Sequence, residues 1–106
     1  MDTEPVTLIN VFEIDSGDVE LFLQQWQERA QFMGRQPGFR SLRLHRALNP
    51  DSRFQLINVA EWDNVEALHA ATAQDFFQQS AERSVQELTI TAHPATYCVV
   101  IEATAE

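Results

Sequence analysis

From Val6 to Ile14 the chain reads VTLINVFEI, a short β-branched and aromatic run that predicts a strand. Asp15-Ser16-Gly17-Asp18 ends that strand and supplies side chains suited to a helix N-cap. Between Val19 and Met33 the apolar residues Val19, Phe22, Leu23, Trp26, Ala30 and Met33 recur at steps of three and four. Such spacing puts one buried stripe on a helix whose other sides carry Glu20, Gln24, Gln27, Glu28 and Gln31. Pro37-Gly38 prevents the helix from continuing. Phe39 to Leu48 partly alternates, with Leu42, Leu44 and Leu48 on one face. The turn formers Asn49-Pro50-Asp51-Ser52 join it to a second alternating run, Phe54 to Trp62, as a hairpin. Asp63 or Asn64 caps a second helix, with apolar positions at Val65, Leu68, Ala71 and Thr72 and a continuation through Phe76, Phe77 and Ala81. The last strand is expected within Thr89 to Ile101, carried by Tyr97-Cys98-Val99-Val100-Ile101, with Ala103 to Glu106 frayed.

The predicted order is βαββαβ, the ferredoxin-like α+β arrangement, with residues 1–106 as one domain around a four-stranded antiparallel sheet. The first and third strands are then central neighbours. Both helices cover one sheet face and leave the other bare. A small domain cannot keep a large apolar sheet face in water, so two sheets are expected to pair face to face in a homodimer. Ile9, Val11, Ile57 and Val59, or their neighbours of opposite parity, are the residues available for that face.

Composition agrees with a globular chain: 44% of residues are apolar and 22% charged. The formal net charge of −9 repels phosphate backbones and anionic lipid heads, which argues against nucleic acid and membrane partners. No apolar run approaches the roughly 18 residues of a membrane span. The start, Met1-Asp2-Thr3-Glu4-Pro5, lacks the basic and apolar parts of a signal peptide. The single cysteine, Cys98, has no internal partner and reads as a small buried apolar residue, so a cytoplasmic location is expected.

Two asparagines interrupt apolar strand faces. Val6, Leu8, Asn10 and Phe12 share one face, and Phe54, Leu56, Asn58, Ala60 and Trp62 share another. If the two strands pair, both amides and the Trp62 indole fall on one side of the sheet. A buried, unpaired amide costs about 1–3 kcal/mol. Either the amides bond each other or nearby backbone, or they await a ligand with carbonyl or hydroxyl groups. Phe12, Leu56, Leu68 and Phe76 are the apolar candidates for substrate contact. His69 lies one position from the stripe of the second helix and is the candidate base, since histidine titrates near neutrality. His45 shares a face with Ser41 and Arg43 and is expected to be exposed, while His93 before Pro94 reads as a corner at the start of the last strand. No histidine pair has metal-ligand spacing, and no nucleotide or serine-hydrolase motif is present, so no metal site is expected.

Val6–Glu13 (VTLINVFE), Gln36-Pro37-Gly38-Phe39, Leu44-His45-Arg46, Leu56–Trp62 (LINVAEW) and His93-Pro94…Tyr97 together resemble the antibiotic biosynthesis monooxygenase family. The resemblance covers nearly the whole chain and implies a dimeric α+β barrel. Cofactor-independent oxygenases of aromatic polyketide pathways in that family carry an Asn-x-x-x-Trp on the third strand, matched by Asn58-Val59-Ala60-Glu61-Trp62. Some use a first-strand Asn, where Asn10 stands. The resemblance therefore implies oxidation of a phenolic or anthrone-like aromatic to a quinone by O2, with no cofactor, through Asn10, Asn58 and Trp62. A Tyr that certain members place six residues after the Trp is Leu68 here. A haem-degrading branch uses a first-strand Asn and a Trp–His pair on the second helix, where this chain has Ala71 and Ala81. A non-catalytic binder of small hydrophobic molecules is the remaining alternative for this fold.

Overall fold

Strands β1 (Val6–Ile14) and β3 (Leu56–Trp62) lie antiparallel at the centre of the sheet in the computed structural model, which describes residues 4–106. The first three residues of the N-terminal segment read for a targeting signal thus lie outside the described part. β2 (Phe39–Arg46) borders β3 and β4 (Ile90–Tyr97) borders β1, giving the order β2-β3-β1-β4 of the ferredoxin-like α+β fold. Alternate residues Leu56, Asn58, Ala60 and Trp62 are buried, whereas Ile57, Val59 and Glu61 between them are only partly covered. The helices therefore cover the face predicted to carry the asparagines.

α1 (Val19–Met33) has the predicted bounds and follows a short 3-10 turn at Ser16–Asp18, whose N-cap Asp15 accepts from the Gly17 amide at 3.1 Å. The Asn49–Ser52 turn closes as expected: Asn49 accepts from the amide of Asp51 through its side chain and from that of Ser52 through its carbonyl. β2 alternates only in part because it bulges against β3 between Phe39 and Ser41. The extra residue lets Phe39 lie opposite Trp62 while Leu42 and Leu44, of the other parity, share its face. Leu48 lies beyond the strand and is fully exposed, so it does not share a face with Leu42 and Leu44 as expected.

The expected second helix is two helices, α2 (Val65–Thr72) and α3 (Asp75–Glu87). Asn64 caps α2 by accepting from the Ala67 amide at 2.8 Å, and Gln74, with extended backbone, restarts the chain as the N-cap of α3. Continuous helical phase from Leu68 and Thr72 leads to Phe76. The break shifts that phase, so Phe77, Ala81 and Ser84 turn inward and Phe76 turns out to stack on Phe32 at 4.8 Å.

The last strand ends at Tyr97, opposite Thr7, not at Ile101. Val99-Val100-Ile101 have high strand propensity, but β1 begins at Val6 and its pairing with β4 stops at Thr7 and Tyr97. Cys98 is exposed rather than buried, and Val100 and Ile101 are 85% and 87% exposed. Pro94 sits within the strand, tolerated because β4 is an edge. His93 is accordingly a mid-strand residue opposite Val11, not a corner. His45 is exposed, as expected.

The turn into β2 rests on Gly38. Its φ of +82° is in the region that disfavours side chains, and a Cβ there would lie 2.5 Å from the Ala67 Cβ. Its carbonyl accepts from the Asp63 amide at 2.7 Å, joining the ends of the β2–β3 hairpin. Gly38→Ala should therefore lower stability by about 1–3 kcal/mol, read as a reduced urea midpoint at unchanged slope.

Candidate functional site

The β1–β3 register places Asn10 directly opposite Asn58, with Leu8 opposite Ala60 and Phe12 opposite Leu56 on either side. Across the sheet the asparagine row continues to Leu44 on β2 and Pro94 on β4. Neither amide has a polar side chain beside it in that row except the other. They do not bond each other or nearby backbone, since the side chains of Asn10 and Asn58 take part in no hydrogen bond among the described residues, and both Oδ1 atoms are buried without a partner.

Above this row the helices leave a cavity of about 240 Å³. Its floor is Leu8, Asn10, Phe12, Asn58, Ala60 and Trp62, with Ala92 and Pro94 from β4. α1 contributes Phe22, Trp26, Arg29, Ala30 and Met33, while α2 and α3 contribute Leu68, Thr72, Phe77, Ala81 and Ser84. Both buried core clusters supply walls: Phe12 and Phe22 from one, Met33, Ala60, Trp62 and Leu68 from the other. Four buried side-chain polar atoms lack partners among the described residues: Asn10 Oδ1, Asn58 Oδ1, Trp26 Nε1 and Trp62 Nε1. All four belong to residues lining this cavity. Buried polar groups are nearly always paired, so their concentration in residues around one void marks it as the candidate site. The volume lies just below the roughly 300–1,000 Å³ of typical ligand pockets and suits a compact ligand.

The aromatic walls have defined geometry. Phe39 meets Trp62 edge-on at 5.2 Å, and Phe12 packs against Phe22 at 5.1 Å and Trp26 at 5.9 Å. These contacts hold the indoles, whose N–H groups can only donate.

Of the residues singled out from sequence, Asn10, Asn58, Trp62, Phe12 and Leu68 line the cavity. His69 does not; the helix turns it to solvent, which removes it as a base acting inside the cavity. Leu56 packs in the core beside its cross-strand neighbour Phe12 and does not line the void, and Phe76 is displaced by Phe77 through the helix break. No histidine lines the cavity among the described residues, so the site offers no axial imidazole, and its volume is small for a macrocycle; the residues present do not fit haem.

Arg29 is the residue that pattern reading missed. It lies between Trp26 and Ala30 of the apolar stripe and is 5% exposed. Nε donates to Ser80 Oγ at 3.0 Å, and Nη2 donates to the Ser80 carbonyl and Ser84 Oγ, each at 2.8 Å. Ser84 Oγ in turn donates to Gln25 Oε1. The guanidinium lies 5.4 Å from the Trp26 ring centre and 5.6 Å from that of Phe22. Burial pushes its pKa down to about 10, which still leaves it charged at neutrality.

The antibiotic biosynthesis monooxygenase family profile matches residues 5–83. β4 lies outside that span yet completes the same sheet. The chain is 31% identical to a candidate monooxygenase from Shewanella loihica PV-4, over 96% of this chain and 99% of that one, with a TM-score of 0.76. It is 27% identical to SnoaB, a cofactor-independent oxygenase from Streptomyces nogalater, over 93% and 96% of the two chains, with a TM-score of 0.78. Rv0793 from Mycobacterium tuberculosis shares the fold, with a TM-score of 0.79 at 15% identity over 95% of this chain and 100% of that one. No curated protein matches the chain.

Proposed function

The chain belongs to the antibiotic biosynthesis monooxygenase family, and from that premise we propose that it oxidises a small phenolic or anthrone-like aromatic to a quinone with O2 and no cofactor. The observation that carries this reading is the group of four unpartnered polar atoms, Asn10 Oδ1, Asn58 Oδ1, Trp26 Nε1 and Trp62 Nε1, around one aromatic-walled cavity. The similarity to the cofactor-independent oxygenase SnoaB supports the same chemistry.

An anthrone gives up a ring CH proton to form an electron-rich anion delocalised onto its oxygen. That anion reduces O2 directly, so the protein's task is to bind it, hold the oxyanion and shield the site. Carbon–oxygen bond formation gives a peroxide anion, which takes up a proton. The hydroperoxide then loses water, its hydroxyl leaving with the remaining ring hydrogen, and a carbonyl results. One oxygen atom ends in the quinone and the other in water. In this account the Trp62 and Trp26 indoles and the Asn10 and Asn58 amides, which can turn to present their NH2 groups, donate to the oxyanion as charge develops. Phe12, Leu68 and Phe77 enclose the ring.

The test is oxygen uptake by metal-free protein supplied with a panel of anthrones and hydroquinones. Protein-dependent uptake, with one oxygen atom of ¹⁸O2 in the quinone, is expected. Binding without uptake would instead make the chain a non-catalytic ligand carrier.

The working unit in this proposal is a homodimer. The sheet face away from the helices carries Ile9, Val11, Ile57 and Val59, only partly covered in a single chain. Beside it Val99, Val100 and Ile101 leave the sheet as an exposed apolar segment. A second copy covering both would remove apolar surface that a lone domain exposes to water.

A further inference from the structure

The cavity is lined by one titratable side chain among the described residues, and it is a cation. Arg29 has no carboxylate within ion-pairing distance: its described partners are the neutral Ser80 and Ser84 and the faces of Phe22, Trp26 and Phe77. Nη1 donates to no described residue. A buried, unpaired charge is costly and is normally matched by an opposite one. Resting on the proposed aromatic oxygenation, we infer that the missing counter-charge is the substrate itself, and that Arg29 makes the cavity select a phenolate or enolate over its neutral acid.

Several features agree on the sign of the ligand. The indoles of Trp26 and Trp62 can only donate and the asparagine amides can turn to donate, so these four groups can serve an anion, whereas the Thr72 and Ser84 hydroxyls already donate to the Leu68 carbonyl and to Gln25. From the sheet, every residue that shares the cavity with Arg29 is uncharged, Asn10, Phe12, Asn58, Ile90 and Ala92 among them. On the helix side, α3 brings Glu87, which meets Gln25 at 3.5 Å and is bound by Arg83 at 3.1 Å, so that carboxylate is already engaged outside the cavity. No side chain of the lining can accept the substrate's proton at neutral pH. The proton therefore passes to solvent, and Arg29 lowers the cost of that ionisation rather than performing it. Arg29 is in this sense a specificity-determining residue.

A role as a mere clamp between α1 and α3 predicts something different. Ser84 keeps Gln25 as a partner without Arg29, and the Ser80 carbonyl lies within the α3 ladder. Arg29→Met, which keeps the stem and removes the charge, should then fold with a melting temperature equal to or above that of the parent. It should lose the preference for anions.

The probe is 2-naphthol, whose anion has its own absorption band, with 2-methoxynaphthalene as the neutral counterpart. Binding is followed by quenching of Trp26 and Trp62 fluorescence, and ionisation by absorbance against pH. The pKa of bound 2-naphthol should fall by about one to three units relative to the free ligand in the parent protein. In Arg29→Met it should return to the free value or rise above it, and in Arg29→Lys part of the fall should remain. Should Arg29→Met not fold, Arg29→Gln carries the same comparison. Binding with an unshifted pKa in the parent, or an equal fall in the charge-free variant, overturns the selection by Arg29 and leaves the oxygenase reading standing. Absence of binding by either naphthalene overturns both.

Discussion

Ile9→Asp should leave no stable folded protein. Ile9 lies on the uncovered sheet face between Val59 on β3 and Ala95 on β4, so a carboxylate there has only apolar cross-strand neighbours. Val59 would be a weaker choice, because Arg43 stands opposite it and would neutralise an introduced acid. A standard interface covers roughly 800 Å² per subunit. If half of that is apolar, burial contributes on the order of 10 kcal/mol per subunit before the costs of association. That is comparable with the whole stability of a domain of this size. Dissociation and unfolding should therefore occur together. Sedimentation equilibrium of the parent at micromolar concentration should show twice the 12.1 kDa chain mass, and Ile9→Asp should show a loss of helical circular dichroism. A well-folded parent species of single-chain mass would remove the homodimer from the account.

Asn58→Leu should have opposite effects on stability and turnover. The Asn58 side chain is 4% exposed and its Oδ1 has no partner, so in the ligand-free protein it is a cost of about 1–3 kcal/mol. Leucine has a similar size and suits the neighbours Leu44, Ala60 and Leu56. The melting temperature should rise, at about 4–8 °C per kcal/mol gained. Oxygen uptake with an anthrone should fall by about 10²–10³-fold, the usual loss when one oxyanion donor is removed. A variant that is both less stable and fully active would make Asn58 a structural residue. Thermal melts and initial rates on one preparation separate the cases.

Much of the fold was legible because local and tertiary signals agreed. β1 and α1 occupy the predicted residues, since an Asp-rich turn and a clean stripe of three and four leave little choice. The pairing of Asn10 with Asn58 followed from strand parity together with the βαββαβ order. Where tertiary structure competed, pattern failed. Tyr97–Ile101 has the stronger strand propensity, yet β4 was set by the register that β1 offers, and it tolerates Pro94 because it is an edge. The α2–α3 break lacks a proline or glycine to mark it, and one residue of phase exchanges Phe76 for Phe77. His69 failed for a related reason: one position off a stripe is far enough round a helix to face water. Arg29 was hidden because a cation at a stripe position reads as a solvated edge. A signal was nonetheless present, since it lies three residues from Trp26 and four from Met33 within the buried repeat.

In the proposed reaction the unpartnered indole N–H groups of Trp26 and Trp62 receive the oxygen of an aromatic anion. The chain has two tryptophans, so its ¹H–¹⁵N spectrum has two indole cross-peaks, from Trp26 and Trp62. Both should move downfield in a saturable way on adding 2-naphthol above the pKa of the bound ligand, and much less with 2-methoxynaphthalene. Indole resonances that stay in place while the ligand binds would contradict the claim, since they would put the ligand somewhere other than this cavity.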